Sequence, residues 1–252
     1  MNSSRKAERG EGRSARLWSR CRVGVWVTLG AALRARALGR APHRLALPRG
    51  PGQASPMGQP AEKQRRATYA DLEAVPPHKV AELVRGTLYV FPRPAPRHAW
   101  ASSRLGVKLG GPFDLGDGGP GGWTILVEPE LHFPDPDAPG EIDALVPDLA
   151  GWRRERMPEL PETAYFALAP DWVCEVLSPS TASFDRDEKM PIYAREGVRY
   201  AWLVDPIART LEVYVLGQER GWGPAVVHRD AAHVRVEPFD AIELDLSVLW
   251  AK

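Results

Sequence analysis

Three short segments decide the fold expected for this chain: VPDLAGW at 146–152, WVCEVLSPST at 172–181 and DRDEKMPIY at 185–193. The first two are apolar runs of strand length that each carry one carboxylate, Asp148 and Glu175. The third is polar and is expected to form a helix that brings Lys189 and Tyr193 behind the two acids. We therefore expect two carboxylates and one lysine to meet at one place.

The composition indicates a folded protein whose charge is unevenly distributed. The 252 residues are 44% apolar and include 9 tryptophans, enough for one large domain or two small ones. Of the 33 Lys and Arg residues, 12 lie in residues 1–56 and 21 in residues 57–252, whereas the 32 acidic residues divide into 2 and 30. An acidic body argues against a protein that mainly coats nucleic acid, but it is compatible with an enzyme that meets DNA through a metal-loaded cleft.

Residues 1–56 form a basic extension rich in Arg, Ala, Gly and Pro. Their apolar run, Val23 to Leu33, is too short for a membrane span, which needs about 20 residues. A secretion or targeting signal is one interpretation, but acidic residues interrupt the basic lead and RARALGR follows the run in place of small cleavable residues. We favour Met57 as the true start, residues 1–56 as poorly ordered upstream sequence, and residues 57–252 as a single domain.

The two cysteines, Cys21 and Cys174, predict neither a disulfide framework nor a thiolate zinc site. This usage suits a reducing compartment, so we expect a cytoplasmic protein without a membrane segment. Cys174 precedes Glu175 in a strand, and the two side chains should therefore point to opposite faces. We expect Cys174 to be a small buried apolar residue.

Turn residues and apolar periodicity divide residues 68–252 into helices and strands. The predicted helices are 68–75, 98–109 and 185–196, and the predicted strands are the hairpin 82–91 followed by 123–133, 143–152, 171–177, 198–204, 211–215, 225–228 and 242–244. We expect the glycine-rich segment 110–122 to be a flexible surface connection. These elements predict an α+β fold, an α/β sandwich around a mixed central β-sheet flanked by helices, with antiparallel strands at the C-terminal end.

The third predicted helix carries local signals at both ends. Asp185 and Glu188 imitate a capping box, and Gly197 is a stop signal. Pro191 lies beyond the first turn, where proline is tolerated. We therefore expect a kink, or a helix that begins only near Lys189.

Two acids and a lysine have the chemistry of a site for phosphodiester cleavage. Mg²⁺, or Mn²⁺ in its place, takes oxygen ligands and keeps several waters, so Asp148 and Glu175 with a substrate phosphate would hold it. Glu175 interrupts an apolar strand face, where a carboxylate without a partner would be costly. Lys189 would orient the attacking water or offset charge on the phosphate, and Tyr193 lies one helical turn further on.

The same residues resemble a known family. PDLAGW, EVLSPST and the pattern D-R-x-x-K-x-x-x-Y-x-x-x-G-V-x-x-x-W-L-V-D-P are similar to the Uma-two family of bacterial putative restriction endonucleases, a branch of the PD-(D/E)XK nuclease superfamily. The resemblance covers the chain from Thr68 to Trp250, including ELVxG and PxxxPRH. It implies a restriction-endonuclease-like core, a divalent metal and DNA as the substrate. A homodimer is possible, because one site reaches one strand at a time.

The resemblance also implies roles for individual residues. Asp148 would be the acid of the PD half, and Glu175 the acid of the ExK half. The lysine of that triplet should lie two residues after Glu175, where this chain has leucine, and its place in the family is taken by Lys189. Glu82 resembles the acid that the superfamily often supplies from its first helix, although here it enters a hairpin. His98 resembles a polar position typical of the family.

Several interpretations stay open from the residues alone. Glu82 is alternatively a partner of Arg85, and His98 alternatively only starts a helix. Glu128 or Glu130 could supply a third metal ligand. For the whole protein, the alternatives to an endonuclease are a catalytically inactive nuclease-fold module that binds nucleic acid or protein, and a hydrolase of small phosphoesters.

Overall fold

A computed structural model describes residues 65–251, which lie within one unit of the chain, Pro60–Lys252. The expectations for residues 1–56 concern residues outside this part. The helices are α1 (Tyr69–Glu73), α2 (Pro96–Leu109), α3 (Ala182–Phe184) and α4 (Met190–Arg195), with π-helical turns at Gly110–Leu115 and Asp185–Lys189 and a 3₁₀ turn at Leu246–Leu249. The strands are β1 (Val80–Val84), β2 (Thr87–Phe91), β3 (Trp123–Val127), β4 (Leu131–Pro134), β5 (Ile142–Leu145), β6 (Leu149–Arg153), β7 (Trp172–Val176), β8 (Tyr200–Asp205), β9 (Thr210–Val215), β10 (Val226–Arg229), β11 (His233–Val234) and β12 (Leu244–Asp245).

The strands form three sheets. The largest has the order β10-β9-β8-β7-β6-β3, in which β7 and β8 are parallel and the other neighbours are antiparallel. A four-stranded antiparallel sheet has the order β2-β1-β5-β4, and β11 pairs with β12. The predicted α+β architecture with a mixed central sheet is confirmed. Strand β11 has no counterpart among the predicted strands.

The central strand β7 divides the interior into two cores. Cys174 points into a core that contains the tryptophans of β3, β7 and β8 and the inner face of α2. Val173 points to the opposite core, which is built from α4 and from residues of the four-stranded sheet such as Leu145. This alternation is the period-two pattern of a strand buried on both faces. Cys174 is buried and free, as predicted.

The first hairpin and helix agree with the local sequence signals. Arg85 and Gly86 have φ values of 48° and 70°, the left-handed conformation that a two-residue hairpin turn requires. Thr68 precedes α1, and its side chain and backbone amide both engage Asp71 in a capping box. The hairpin predicted at 82–91 is two residues longer at its start.

Two of the predicted strands are each broken into two strands that belong to different sheets. The segment 123–133 breaks at Glu128, which has φ of 50°, and Pro129. The segment 143–152 breaks at residues 146–148, which include Pro147. Proline has no amide hydrogen to donate to a neighbouring strand. Each run therefore leaves one sheet at its proline and continues in the other sheet. The breaks meet, because the Glu128 amide donates to the Asp148 carbonyl at 3.1 Å.

The second helix begins two residues earlier than predicted, at Pro96, where proline suits the first turn, and it ends at Leu109 as predicted. The glycines that follow it do not begin an irregular loop. Gly110 keeps helical dihedrals and the chain continues as a π-helical turn, which Gly116 ends with φ of 74°. Phe113 on that turn is buried, and its packing stabilises the continuation. The first half of the predicted flexible connection is therefore helical.

The helix predicted at 185–196 begins earlier, at Ala182, and contains a π-helical turn. Asp185 has φ of −60° and ψ of −44°, so it lies inside the helix and the predicted capping box is wrong. The turn ends at Lys189, two residues before Pro191, and both a π turn and a proline interrupt the regular hydrogen bonding of a helix. The predicted irregularity near Lys189 and Pro191 is confirmed, as is the stop at Gly197, with φ of 81°.

Among residues 65–251, no helix is both long enough and apolar enough to cross a bilayer.

Gly151 in β6 gives a test of the packing between tryptophans. A Cβ added there would lie 3.2 Å from the Trp172 ring and 3.3 Å from the Trp123 ring, and both rings are buried. Gly151→Ala is therefore expected to lower the free energy of unfolding by about 1–3 kcal/mol, measured by urea denaturation. Gly110→Ala is the control, since its Cβ would meet nothing within 4 Å and its backbone is helical, and should stabilise by about 0.4–1 kcal/mol. Equal effects at the two glycines would contradict this account.

Candidate active site

A cavity of about 310 Å³ lies where the hairpin, the start of α2 and the end of β7 meet. Its wall contains most of the polar residues that the sequence singles out. They are Glu82, His98, Glu128, Asp148, Glu175, Asp185 and Lys189. The structure therefore brings together the two predicted acids, the predicted lysine, Glu82 and His98.

Lys189 is the centre of this group. Its side chain is 2% exposed, and its ammonium lies 2.9 Å from a carboxylate oxygen of Glu175 and 3.2 Å from one of Glu82. It also lies 3.8 Å from Asp185 and donates to the Val146 carbonyl at 3.0 Å. The π-helical turn places Lys189 and Asp185, four residues apart, on the same side of the helix.

Glu175 is held by contacts on one of its two oxygens. The Tyr193 hydroxyl donates to Oε1 at 2.6 Å, and the Lys189 ammonium lies beside the same atom. Within residues 65–251 no side-chain hydrogen bond reaches Oε2, and Glu175 is part of the cavity lining. Tyr193 comes from α4 and is buried, and it lies behind the acids as expected.

Asp148 reaches the cavity from the break between β5 and β6. Its Oδ2 accepts from the Val176 amide at 2.7 Å, which fixes it beside β7. Its Oδ1 lies 3.2 Å from Nε2 of His98, the third residue of α2. The two predicted metal ligands therefore come from neighbouring positions on antiparallel strands, in which Leu149 pairs with Cys174.

Glu82 and Asp185 complete the surroundings of the lysine. Glu82 lies in β1 and accepts from the Val146 amide at 3.0 Å, so it does not pair with Arg85, which instead lies 3.5 Å from Glu188. The local sequence predicts a helix cap at Asp185, so the place of this residue in the site was not predicted. The signal available was its four-residue spacing to Lys189, which places an acid and a lysine on one helix face.

Glu128 and Glu130 have different positions. Glu128 lines the cavity. Glu130 accepts from the Tyr69 hydroxyl at 2.7 Å and lies 2.6 Å from His132, so its carboxylate belongs to a separate cluster.

The site contains more carboxyl groups than its one lysine can balance. Burial lowers the pKa of Lys189, but the combined attraction of Glu175, Glu82 and Asp185 exceeds that effect and raises the pKa, so the ammonium stays charged. Burial raises the pKa of Glu175 well above its usual range even though Lys189 opposes the shift, and nearby carboxylates add to it. Burial likewise raises the pKa of Glu82 and of Asp185. Several carboxyls face this one buried cation. A further cation bound beside them would favour their ionised form.

His98 is oriented by Asp148. Burial lowers the pKa of His98, but its interaction with Asp148 and the nearby acidic charges outweigh burial and raise the pKa. Its other ring nitrogen, Nδ1, is buried and has no hydrogen-bond partner among residues 65–251. His98 therefore donates from Nε2 toward Asp148 and fixes the position of that carboxylate.

The donor set fits a hard divalent cation with few protein ligands. Within residues 65–251, no group of three or more His, Cys, Asp or Glu side chains has the arrangement of a complete metal site. Asp148 and Glu175 offer carboxylate oxygens from adjacent strands, and Mg²⁺ is commonly held by one or two carboxylates with water and substrate phosphate as the other ligands. The residues present therefore fit a cation that binds together with a phosphate.

Comparison with known proteins gives a family match and matches among solved structures. The family model described as "Uma2: Putative restriction endonuclease" matches residues 66–248. Among solved structures, the chain is similar to the crystal structure of "a putative nuclease belonging to DUF820" from Anabaena variabilis ATCC 29413, with a TM-score of 0.57 and 22% sequence identity over 73% of this chain and 97% of that chain. No curated protein matches the chain. At this identity, the structural likeness shows a shared restriction-endonuclease-like fold.

Replacing Lys189 tests the charge balance of the site. Lys189→Met should lower the free energy of unfolding by about 3–5 kcal/mol near pH 8, because several buried carboxyls lose their cation. Burial raises the pKa of these carboxyls, so the folded chain binds their protons more tightly than the unfolded chain does. Their cost therefore grows as pH rises above the ordinary carboxyl range, and the loss should be smaller near pH 5.

Urea denaturation at the two pH values measures this difference. Lys108→Met is the matched control, because Lys108 is an exposed lysine of α2, and it should change stability by less than about 0.5 kcal/mol at either pH. A loss for Lys189→Met that is the same at both pH values would refute the charge-balance explanation.

Proposed function

The chain belongs to the Uma2 family of putative restriction endonucleases, and from this premise and the geometry of the site we propose that it is a divalent-metal-dependent endonuclease that hydrolyses phosphodiester bonds of DNA. The observation that carries the proposal is the buried Lys189, held by Glu175 and Glu82 beside Asp148. A lysine and two carboxylates with an open oxygen are what phosphodiester hydrolysis needs in one place.

Asp148 and Glu175 would hold the metal, Mg²⁺ or Mn²⁺. When bound, the cation supplies Lewis-acid stabilisation of the charge that develops on the phosphate. Tyr193 keeps Glu175 oriented, since its hydroxyl donates to Oε1, and the metal would bind at Oε2. His98 and the Val176 amide together fix both oxygens of Asp148.

Lys189 acts on the attacking water or on the phosphate and is not a metal ligand. Its raised pKa keeps it charged, so it donates hydrogen bonds and cannot serve as the general base. It orients the attacking water or balances charge on the phosphate while a water oxygen bonds to phosphorus and a phosphorus–oxygen bond to the sugar breaks. Glu82 and Asp185 hold the ammonium in place and so act as positioning residues.

The buried cluster favours a hydrolase over an inactive module. A group of buried charges with surplus negative charge is destabilising unless something compensates for it. Binding of nucleic acid or protein alone does not require buried charges of this kind. The cavity lining includes the exposed Arg93, which is placed to contact a second phosphate outside the cavity; DNA offers such a phosphate and a small phosphoester does not.

Nicking of supercoiled plasmid by the full chain tests the proposed reaction. With Mg²⁺ or Mn²⁺, the unaltered protein should convert supercoiled plasmid to the nicked form. Asp148→Asn and Lys189→Met should each lower the rate by about 100-fold or more, since each removes a group that acts on the phosphate. Glu219→Gln removes an exposed acid outside the cavity and should retain the full rate.

Loss of cleavage in the control, or its retention in both site variants, would place the reaction elsewhere. Cleavage of small phosphodiesters without nicking of plasmid would favour the small-phosphoester alternative. No cleavage of either substrate by the unaltered chain would favour the inactive module.

Metal binding is tested separately by thermal unfolding. A cation that binds only the folded chain, at about 100 times its dissociation constant, adds about 2.7 kcal/mol of stability. For a chain of this size the midpoint should rise by roughly 5–10 °C. Asp148→Asn should lose most of this rise, whereas Lys189→Met should keep it, because the lysine is not a ligand. A rise that survives Asp148→Asn unchanged would exclude Asp148 from the metal site.

A further inference from the structure

The exposed face of α2 carries a line of positive charge. Arg97, Arg104 and Lys108 are separated by seven and four residues, so on a helix with 3.6 residues per turn they fall within an arc of about 40°. All three are exposed, whereas Ala101, Leu105 and their neighbours on the opposite face are buried in the core. The stripe formed by Arg97, Arg104 and Lys108 therefore faces away from the protein.

This stripe stands out from an acidic surface. Residues 65–251 contain 19 Lys and Arg against 29 Asp and Glu. The stretch from Leu83 to Phe113, which includes all of α2, contains five basic residues and no acid. A polyanion that approaches this protein is repelled by most of its surface and attracted to this one.

The side chains of the stripe are available to a ligand. No salt bridge within residues 65–251 involves any of the three. The Arg104 guanidinium lies over the Trp100 ring at 4.4 Å, and the indole nitrogen of Trp100 donates to the Val248 carbonyl at 3.1 Å. This stacking holds Arg104 in place, so less side-chain entropy is lost when it binds. Lys108 lies near Asp245, so the two arginines are the stronger contacts.

The stripe leads to the cavity. His98, which lies next to Arg97, lines the cavity, and so does the exposed Arg93 just before the helix. From Arg97 to Lys108 the helix rises about 16 Å. Successive phosphates of one DNA strand are about 3.4 Å apart along the axis, so the stripe is long enough to follow several of them.

We propose that the stripe on α2, together with Arg93, binds the phosphate backbone of duplex DNA and leads one strand into the cavity. This inference rests on the proposed function and names the surface by which its substrate is held. The contacts are to phosphates, so they position the duplex without selecting its sequence. Because the rest of the surface is acidic, the same stripe also determines which side of the protein faces the DNA.

The test measures binding of a fluorescent duplex of about 30 base pairs to the full chain. Fluorescence anisotropy gives the affinity over a range of salt concentrations, with Ca²⁺ present. Arg97→Ala/Arg104→Ala should weaken binding by about 10- to 100-fold at about 50 mM salt. It should also reduce the slope of log affinity against log salt by about 1.8, which is two phosphate contacts at about 0.9 each. Both positions are exposed in a helix, where alanine is well tolerated.

The matched control is Arg199→Ala/Arg220→Ala, which changes the net charge equally. These exposed arginines lie at the end of β8 and β9 where Tyr200 pairs with Val215, whereas the cavity lies toward the other end of β8. Binding by this variant should stay within about threefold of the unaltered chain. Equal weakening in both double variants, no weakening in either, or no binding by the unaltered chain would overturn the proposal.

Binding is measured without cleavage, so the two proposals fail separately. A chain that binds through α2 but never nicks plasmid would keep this inference and refute the hydrolysis. A chain that nicks plasmid and binds equally well without Arg97 and Arg104 would keep the hydrolysis and refute the stripe.

Discussion

The buried ammonium of Lys189 is the interaction on which the rest of the structure depends. Its partners come from separate parts of the chain: Glu82 from β1, Glu175 from β7 and Asp185 from its own turn. A buried charge is tolerated only while its partners stay in place, because the loss of one leaves uncompensated charge in the interior. The hairpin, the central sheet and the helix after β7 must therefore keep their relative positions. Both cores of the molecule, one on each face of β7, serve that requirement.

The features that local sequence predicts well are those with a local physical cause. Glu175 interrupts an apolar strand with period-two alternation, which places it and Cys174 on opposite faces whatever the rest of the chain does. Arg85-Gly86 supplies the left-handed turn of the hairpin, and Gly197 ends its helix. The pair of acids and the lysine could be selected from the sequence because carboxylates in apolar strands need partners.

The features that local sequence misses depend on tertiary structure. The runs 123–133 and 143–152 were each predicted as one continuous strand, and each divides between two sheets. The prolines at 129 and 147 were the available signal. Asp185 has two competing local roles, as a helix cap or as a partner four residues before Lys189, and the π-helical turn decides between them. That turn also explains how a lysine outside the usual strand position reaches Glu175 at 2.9 Å.

The charge distribution of the molecule determines how a phosphate could approach the site. A site with surplus carboxylate charge repels phosphate, and so does a body with 29 acids against 19 bases in the described residues. Two sources of positive charge oppose this repulsion: the cation that Asp148 and Glu175 are suited to hold, and the acid-free stretch that forms α2. In the proposed reaction the first would act over a few ångströms at the reacting phosphate, whereas the second would act along the strand on either side of it. Neither replaces the other, because short-range neutralisation cannot orient a long polyanion and a surface stripe cannot stabilise charge inside the cavity.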